Sequence, residues 1–251
     1  MSAQAFWVVK AGNSDSEYED AYCPKKSPRD QDKTCFRFAV ADGATETSFS
    51  GIWAKQLVRS FCNDRLDVTS IGGGLRDLQQ RWSMNVRRRP LPWYAEEKVR
   101  IGAFAALLGV ALHDDSCLED PHEWRAIGLG DSCLVQMRGE EVLVRFPLDN
   151  SASFTNRPHL LSSNPAYNRQ VIEHLCSIKG TWDHGDVFYL MTDALACWFM
   201  REVEEGRRPW SILRDVGPYG EIKPFREWVG ELRADRAIRN DDVTLLRVVI
   251  E

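Results

Sequence analysis

Acidic residues stand at three points where an apolar segment of strand length ends or begins: Asp42, Asp193 and the pair Asp241 and Asp242. The first two follow the apolar segments 38–41 and 188–192, whereas the third comes directly before the segment 243–246. In an antiparallel sheet, the end of one strand and the start of its neighbour share an edge. The three points can therefore converge in the folded chain, although they are far apart in the sequence.

Such a convergence predicts a divalent metal site. Ionised carboxylates beside an apolar core lose water and repel one another, so they are stable there only when a cation balances their charge. Oxygen ligands favour Mg²⁺ or Mn²⁺, whereas zinc prefers His or Cys. Gly43, directly after Asp42, allows the backbone to approach an ion so that the carbonyl can join as a ligand. Asp42, Gly43, Asp193 and Asp241 are the predicted metal ligands.

Each acid also has a purely structural interpretation. Asp-Gly, as at Asp42, is among the commonest turn dipeptides, and Asp193 is a suitable helix N-cap. These interpretations explain each acid separately, but not the repeated pairing of an acid with a strongly apolar strand. Taken together, Asp42, Asp193 and Asp241 favour a metal centre.

The elements that position these acids are short strands and a few helices. Several apolar segments follow one another between residues 101 and 146 with only short polar breaks, which indicates antiparallel hairpins rather than βαβ units. Apolar residues at three- and four-residue steps predict helices over 49–61, 195–203 and 225–232. The fold class is therefore α+β, with two packed, mostly antiparallel sheets flanked by helices, in a single domain over 1–251.

The remaining segments are predicted to be connections. Residues 147–165 combine three Pro with Asn, Ser and Thr, which is typical of a long surface loop. The glycine triplet at 72–74 has no following Lys-Ser or Lys-Thr, so it is predicted to be a flexible joint and not a phosphate cradle. Residues 209–216 predict a short helix that Pro209 begins and Gly217 ends.

Composition excludes several classes of function. The 37 acidic and 32 basic residues are spread along the 251-residue chain, so it lacks the basic stripe of a nucleic-acid-binding protein. The N-terminus has no basic region followed by an apolar one, and the longest apolar segment, 103–112, is far shorter than the roughly 20 residues needed to span a bilayer. We therefore expect a cytoplasmic monomer that binds neither nucleic acid nor membrane.

Five short motifs resemble, in the same order, those of the metal-dependent protein phosphatases of type 2C (PPM): Glu19-Asp20-Ala21-Tyr22, Val40-Ala41-Asp42-Gly43, Gly130-Asp131-Ser132, Met191-Thr192-Asp193 and Asp241-Asp242-Val243-Thr244. They span nearly the whole chain, with family-like separations. The resemblance implies an αββα sandwich and a short, bacterial-style serine/threonine protein phosphatase. Its activity would be hydrolysis of phosphoserine and phosphothreonine in proteins with two Mn²⁺ or Mg²⁺ ions.

The resemblance also implies roles for the predicted ligands. Asp42 would bridge the two ions, and the Gly43 carbonyl would bind one of them. Asp193 and Asp241 would hold the other ion. A water bridging the metals would then attack phosphorus in line, without a covalent enzyme intermediate.

Four further acids receive supporting roles from the resemblance. Glu19 would reach the metals directly or through water, with Asp20 as its hydrogen-bonded neighbour. Asp131 would be a third-metal ligand, although a poor one alone. Asp242 stands where Asn is common in the family, and it would either tune metal affinity or face water.

Three positions depart from the family pattern. Asp15 stands where many members have an Arg that clamps the substrate phosphate, Ala44 where some have a His proposed as general acid, and Cys197 where many have an Asp for a third ion. His159, in the predicted loop, is a candidate substitute for the acid. These departures leave two other functions open: a catalytically silent fold that binds a kinase or other partner, and a phosphatase for small phosphate esters. The retained carboxylates favour catalysis on a phosphoprotein, with a cognate Ser/Thr kinase as a candidate partner.

Overall fold

The strands of the described residues form two five-stranded antiparallel sheets and one two-stranded sheet. The computed structural model describes residues 1–24, 34–45, 47, 49–66, 71–88, 99–114, 122–217 and 221–251. The strands in these ranges are β1 (Ser2–Val8), β2 (Ala21–Cys23), β3 (Cys35–Ala41), β4 (Phe104–Ala105), β5 (Leu107–His113), β6 (Glu123–Leu129), β7 (Cys133–Arg138), β8 (Glu141–Phe146), β9 (Leu161–Ser162), β10 (Cys176–Thr181), β11 (Asp186–Met191) and β12 (Val243–Val249). The first sheet has the order β1-β12-β11-β7-β8 and the second the order β10-β6-β5-β3-β2.

The helices lie between strands in the chain order. In the described ranges they are α1 (Ser50–Cys62), α2 (Ile71–Arg87), α3 (Asn168–Val171), α4 (Asp193–Glu204), α5 (Pro209–Asp215) and α6 (Ile222–Ala234). Single 3-10 turns occur at Asp15–Glu17, Ser151–Ser153, Pro165–Tyr167 and Ile172–His174. None of the helices described in these ranges is long and apolar enough to cross a membrane.

The two sheets face each other across a buried apolar layer. Both sheets contribute large side chains to it, including Phe38, Leu108, Trp124, Leu134, Phe188 and Leu246. Side chains alternate between the faces of a strand, so the neighbouring Ala39 and Ala41 of β3 contact the helices instead. Burial on both faces explains why the second half of β3, residues 38–41, is an unbroken apolar segment rather than an alternating one.

Helices cover the outer face of each sheet. Trp53 and Leu57 of α1 and Leu78 of α2 pack on the second sheet. Phe199 of α4 and Phe225 of α6 pack on the first sheet. The layers are therefore helices, sheet, sheet and helices, which confirms the predicted αββα sandwich.

The longest apolar segment, 103–112, contains two strands. β4 pairs with β9, whereas β5 pairs with β3 and β6. The change occurs at Ala106, whose backbone N donates to the Asp42 carbonyl at 2.8 Å. The segment 147–165 contains β9 and one 3-10 turn within its irregular backbone, and a second 3-10 turn begins at its last residue. The short helix predicted from Pro209 is confirmed as α5.

The glycine triplet is not a joint, because it lies inside helix α2. A Cβ at Gly74 would be 2.3 Å from the Arg65 carbonyl oxygen, whereas a Cβ at Gly73 would meet nothing within 4 Å. The helix therefore needs a glycine at Gly74 for close backbone packing, while Gly73 faces open space. Sequence reasoning saw only the flexibility of the triplet and missed this contact.

Gly74→Ala is expected to lower the free energy of unfolding by about 1–3 kcal/mol, because the added methyl group overlaps a backbone atom. Gly73→Ala is the matched control, and we expect it to be up to about 1 kcal/mol more stable than wild type, because Ala favours the helix. Urea unfolding followed by circular dichroism measures both. Equal effects of the two substitutions would contradict the packing explanation.

Candidate metal centre

Among the described residues, four carboxylates line one cavity of about 640 Å³ at an edge of the sandwich: Asp42, Asp131, Asp193 and Asp241. Gly43 and Ala44 line the same cavity. The acids that follow β3 and β11 thus lie beside the acid that precedes β12. This is the arrangement expected where antiparallel strands share an edge.

Hydrogen bonds between β11 and β12 hold two of these acids in place. The Thr192 backbone N donates to the Thr244 carbonyl at 3.1 Å, and the Thr244 backbone N donates to Thr192 Oγ1 at 2.9 Å. Thr192 is the N-cap of α4, so Asp193 is the first residue of that helix. The strand pair therefore positions Asp193 and Asp241 at the same edge.

Gly43 is required by its surroundings. It forms an antiparallel bridge with Ala105, and a Cβ at this position would be 2.6 Å from the Glu19 carbonyl oxygen and 3.0 Å from Ser50. The backbone after β3 therefore lies too close to its neighbours for any other residue. This packing reason was not visible in the sequence, which suggested only an approach to an ion.

Repulsion and burial perturb the acids of the cavity. Burial raises the pKa of Asp42 well above its usual range, and the charges of Asp20 and Asp193 raise it further. Burial and the charge of Asp193 raise the pKa of Asp131 to about 7. These shifts show that the carboxylates are near enough to interact strongly, with little water to screen them.

Two basic side chains partly balance this negative charge. Arg239 Nη2 lies 2.6 Å from Asp193 Oδ2, and Lys10 Nζ lies 3.9 Å from Asp241 Oδ1. Burial raises the pKa of Asp193, but the Arg239 guanidinium acts in the opposite direction. Both cations also line the cavity.

Asp20 lies beneath the cavity and is completely buried. Its Oδ2 accepts a hydrogen bond from Thr244 Oγ1 at 2.6 Å. Because the single Thr244 hydroxyl proton is used there, Tyr18 Oη is the donor in its own 2.5 Å contact with Thr244 Oγ1. Asp20 Oδ1 has no hydrogen-bond partner. Burial, followed by the charge of Asp242, raises the pKa of Asp20 well above its usual range.

Glu19 and Asp242 do not line the cavity, but a hydrogen bond joins the Glu19 backbone to the Asp242 carboxylate. Ser50 Oγ donates to the Glu19 carboxylate, and burial raises the pKa of Glu19. The Asp242 carboxylate accepts from the backbone N of Lys10 at 2.8 Å and of Glu19 at 2.7 Å. Asp242 is buried, so the expectation that it faces water is wrong. It ties the N-terminal segment to the start of β12.

The donor set fits a hard divalent cation. The candidate side-chain ligands are carboxylates, the pKa values of Asp42, Asp131 and Asp193 are raised, and the buried Asp20 Oδ1 lacks a partner. A bound cation would offset the repulsion between the carboxylates and the loss of solvation that burial causes. The described residues contain no group of three His, Cys, Asp or Glu side chains already placed to hold an ion. The chemistry of the set is thus suitable, while its present side-chain positions do not form a closed coordination shell.

Comparison with known families identifies the family of this chain. The family model described as protein phosphatase 2C matches residues 14–225. This chain belongs to the protein phosphatase 2C family. The match covers the segments that carry Asp42, Asp131 and Asp193, although it ends before Asp241. None of the curated proteins matches the sequence significantly.

Solved structures similar to this chain share its fold. The serine/threonine phosphatase PstP/Ppp of Mycobacterium tuberculosis has a TM-score of 0.61 at 14% identity, covering 99% of this chain and 98% of its own. The catalytic domain of PstP in complex with two manganese ions has a TM-score of 0.57 at 14% identity, covering 99% and 98%. PppA, a regulatory component of T6SS in Pseudomonas aeruginosa, has a TM-score of 0.58 at 18% identity, covering 99% and 97%.

The positions that depart from the protein phosphatase 2C pattern differ in where they lie. Ala44 lines the cavity. Asp15 and Cys197 do not: Asp15 pairs with Arg226 of α6 at 3.2 Å, and Cys197 is only partly buried on α4. His159 lies against an adjoining cavity, where its ring stacks on that of His174 at 3.7 Å between centroids.

Sequence reasoning missed two groups of residues at the cavity. Lys10 and Arg239 line it beside the acids, and so do residues 155–158 of the connection between β8 and β9. Arg239 stands two positions before Asp241, and this closeness to a candidate ligand was the available signal. The loop carried no such signal, because nothing in its composition indicates which edge of the sandwich it approaches.

Asp242→Asn is expected to lower the free energy of unfolding by about 1–3 kcal/mol. The two carboxylate oxygens serve two backbone N–H groups, and an amide has only one oxygen, so one buried donor would lose its acceptor. Urea unfolding measures the change, with Asp235→Asn at an exposed position as the control. A variant as stable as wild type would show that Asp242 does not anchor the N-terminal segment.

The stability of the protein in EDTA is expected to fall as pH rises from about 5 to about 7. The folded chain binds a proton to Asp131 more tightly than the unfolded chain does, since folding raises the pKa of this carboxyl from 3.8 to about 7. This contribution to stability is present at low pH and is lost as pH approaches the folded pKa. Asp131→Asn removes it, so urea midpoints across this range should decline less steeply. An equally steep decline in the variant would exclude Asp131 as a source.

Proposed function

We propose that this chain hydrolyses phosphoserine and phosphothreonine in proteins, using two Mn²⁺ or Mg²⁺ ions. The observation that carries the proposal is the set of four carboxylates around one cavity of a protein phosphatase 2C fold. Burying carboxylates whose pKa values are raised costs folding stability. Acids perturbed in this way and lying in a cavity are typical of functional sites. A cognate Ser/Thr kinase would supply the phosphorylated substrate.

Asp42, Asp193 and Asp241 would hold the ions, together with the Gly43 carbonyl. Bound ions of this kind acidify a water molecule to make it a nucleophile and neutralise charge on a phosphoryl group. Asp131 would support the ions from the turn between β6 and β7. Arg239 and Lys10 limit the repulsion around Asp193 and Asp241 through their ion pairs.

Glu19 and Asp20 would act from beneath these ligands. Asp20 accepts a hydrogen bond from the Thr244 hydroxyl. The charge of Asp20 is among the causes of the raised pKa of Asp42. Its unpartnered Oδ1 is suited to accept a hydrogen bond from a water molecule in the site. The Glu19 carboxylate is oriented by Ser50, and Asp242 fixes the Glu19 backbone.

The test is hydrolysis of a phosphoserine peptide and of p-nitrophenyl phosphate with Mn²⁺, Mg²⁺ or EDTA. Wild type is expected to be active with either metal and silent in EDTA. Asp193→Asn is expected to lower kcat by at least about 100-fold, because it removes a charged ligand worth several kcal/mol in the transition state. Calorimetric titration with Mn²⁺ should show weaker binding to the same variant.

Asp235→Asn is the control, since this exposed acid lies outside the cavity. It should match wild type in both assays. Silence of wild type with every metal would contradict catalysis and favour a binding module. Turnover of p-nitrophenyl phosphate without turnover of phosphopeptides would contradict a protein substrate and favour a small phosphate ester.

A further inference from the structure

The position at which many family members carry a phosphate-clamping Arg cannot bind phosphate in this chain. Asp15 stands there, and its carboxylate lies 3.2 Å from Arg226 Nη2. The Arg226 guanidinium also lies over the Trp7 ring, 4.5 Å from its centroid. Asp15 and Arg226 are both absent from the cavity lining. A phosphate group in the cavity therefore needs a cation from another part of the fold.

Three cationic residues of the described part of the chain line the cavity: Lys10, Arg157 and Arg239. Lys10 lies 3.9 Å from Asp241, and Arg239 lies 2.6 Å from Asp193, so both are paired with candidate metal ligands. Arg157 is exposed. Within the described ranges it has no carboxylate partner at ion-pair distance. Its positive charge is thus available to a ligand in the cavity.

The loop that carries Arg157 is anchored on the helix that Asp193 begins. Ser151 donates from its backbone N and its Oγ to the Glu204 carboxylate, each at 2.6 Å, near the end of α4. Nearer the cavity, the Arg157 backbone N donates to Thr155 Oγ1 at 3.3 Å. Pro158 follows and restricts the Arg157 backbone. These contacts restrain the loop whose Arg157 lines the cavity together with the carboxylates.

We propose that Arg157 binds the phosphoryl group of the substrate, in the place that Asp15 leaves without a cation. A guanidinium offers a planar fork of donors that matches two phosphoryl oxygens, and its charge strengthens both hydrogen bonds. Thr155 and Asn156 also line the cavity, and both have neutral donor groups beside the guanidinium. This assignment rests on the proposed phosphatase activity, which it extends to the recognition of the substrate.

The experiment compares Arg157→Ala and Arg157→Lys with wild type on a phosphoserine peptide in saturating Mn²⁺. Arg157→Ala is expected to lower kcat/KM by about 10- to 100-fold, the loss typical of hydrogen bonds to a charged group. The inhibition constant of inorganic phosphate should increase by a similar factor. Arg157→Lys should recover part of the loss, because Lys keeps the charge but not the fork.

Arg169→Ala is the matched control, because Arg169 is also exposed but does not line the cavity. It should leave the kinetics and the phosphate inhibition unchanged. Calorimetric titration with Mn²⁺ should give wild-type affinity for Arg157→Ala, which separates phosphate binding from metal binding. A parallel loss of Mn²⁺ affinity would overturn the assignment.

An unchanged kcat/KM and unchanged phosphate inhibition in Arg157→Ala would also overturn it, while leaving the phosphatase activity of wild type in place. Inactivity of wild type would instead contradict the proposed function. Titration of the Mn²⁺-loaded protein with inorganic phosphate still tests Arg157 in that event. Equal phosphate affinity of wild type and Arg157→Ala would then exclude the clamp.

Discussion

The repulsion among partly desolvated carboxylates at one edge of the sandwich is the constraint on which the rest of the site depends. Asp42, Asp131 and Asp193 all have raised pKa values, and burial is the largest cause for each. Neighbouring acids add to the shift, so each carboxylate makes its neighbours less stable. Lys10 and Arg239 offset only part of this charge. A further cation would offset the remaining charge, and in the proposed function such ions serve the hydrolysis of a phosphate ester.

The layers of the fold resist this repulsion by fixing the strand ends. The bonds between Thr192 and Thr244 join β11 to β12 directly beneath the acids. The same Thr244 hydroxyl holds the buried Asp20, so strand pairing and the electrostatics of the site share one residue. Apolar packing on both faces of the sheets prevents the strands from separating. The stability of the sandwich therefore offsets the cost of the site.

The sequence was sufficient to predict what depends on periodicity. Strands buried on both faces are continuous apolar segments, and the αββα order follows from them. The convergence of Asp42, Asp193 and Asp241 on one cavity follows from antiparallel pairing. Contacts between distant backbone segments were not predictable, because no pattern along the chain marks them. The close approach of Gly74 to Arg65 is such a contact.

The separation of Arg157 from the motif acids explains why sequence reasoning did not reach phosphate recognition. The N-terminal segment is held by Asp242 and by the ion pair of Asp15 with Arg226. Asp15 therefore serves the packing of α6 against β1. Arg157, the cation proposed to bind phosphate at the cavity, comes instead from a loop anchored on α4. A surface loop can change in length and sequence without disturbing the strand ends. In the proposed site, metal binding and phosphate recognition would therefore be carried by separate elements, which would allow substrate preference to change while the carboxylate cluster stays fixed.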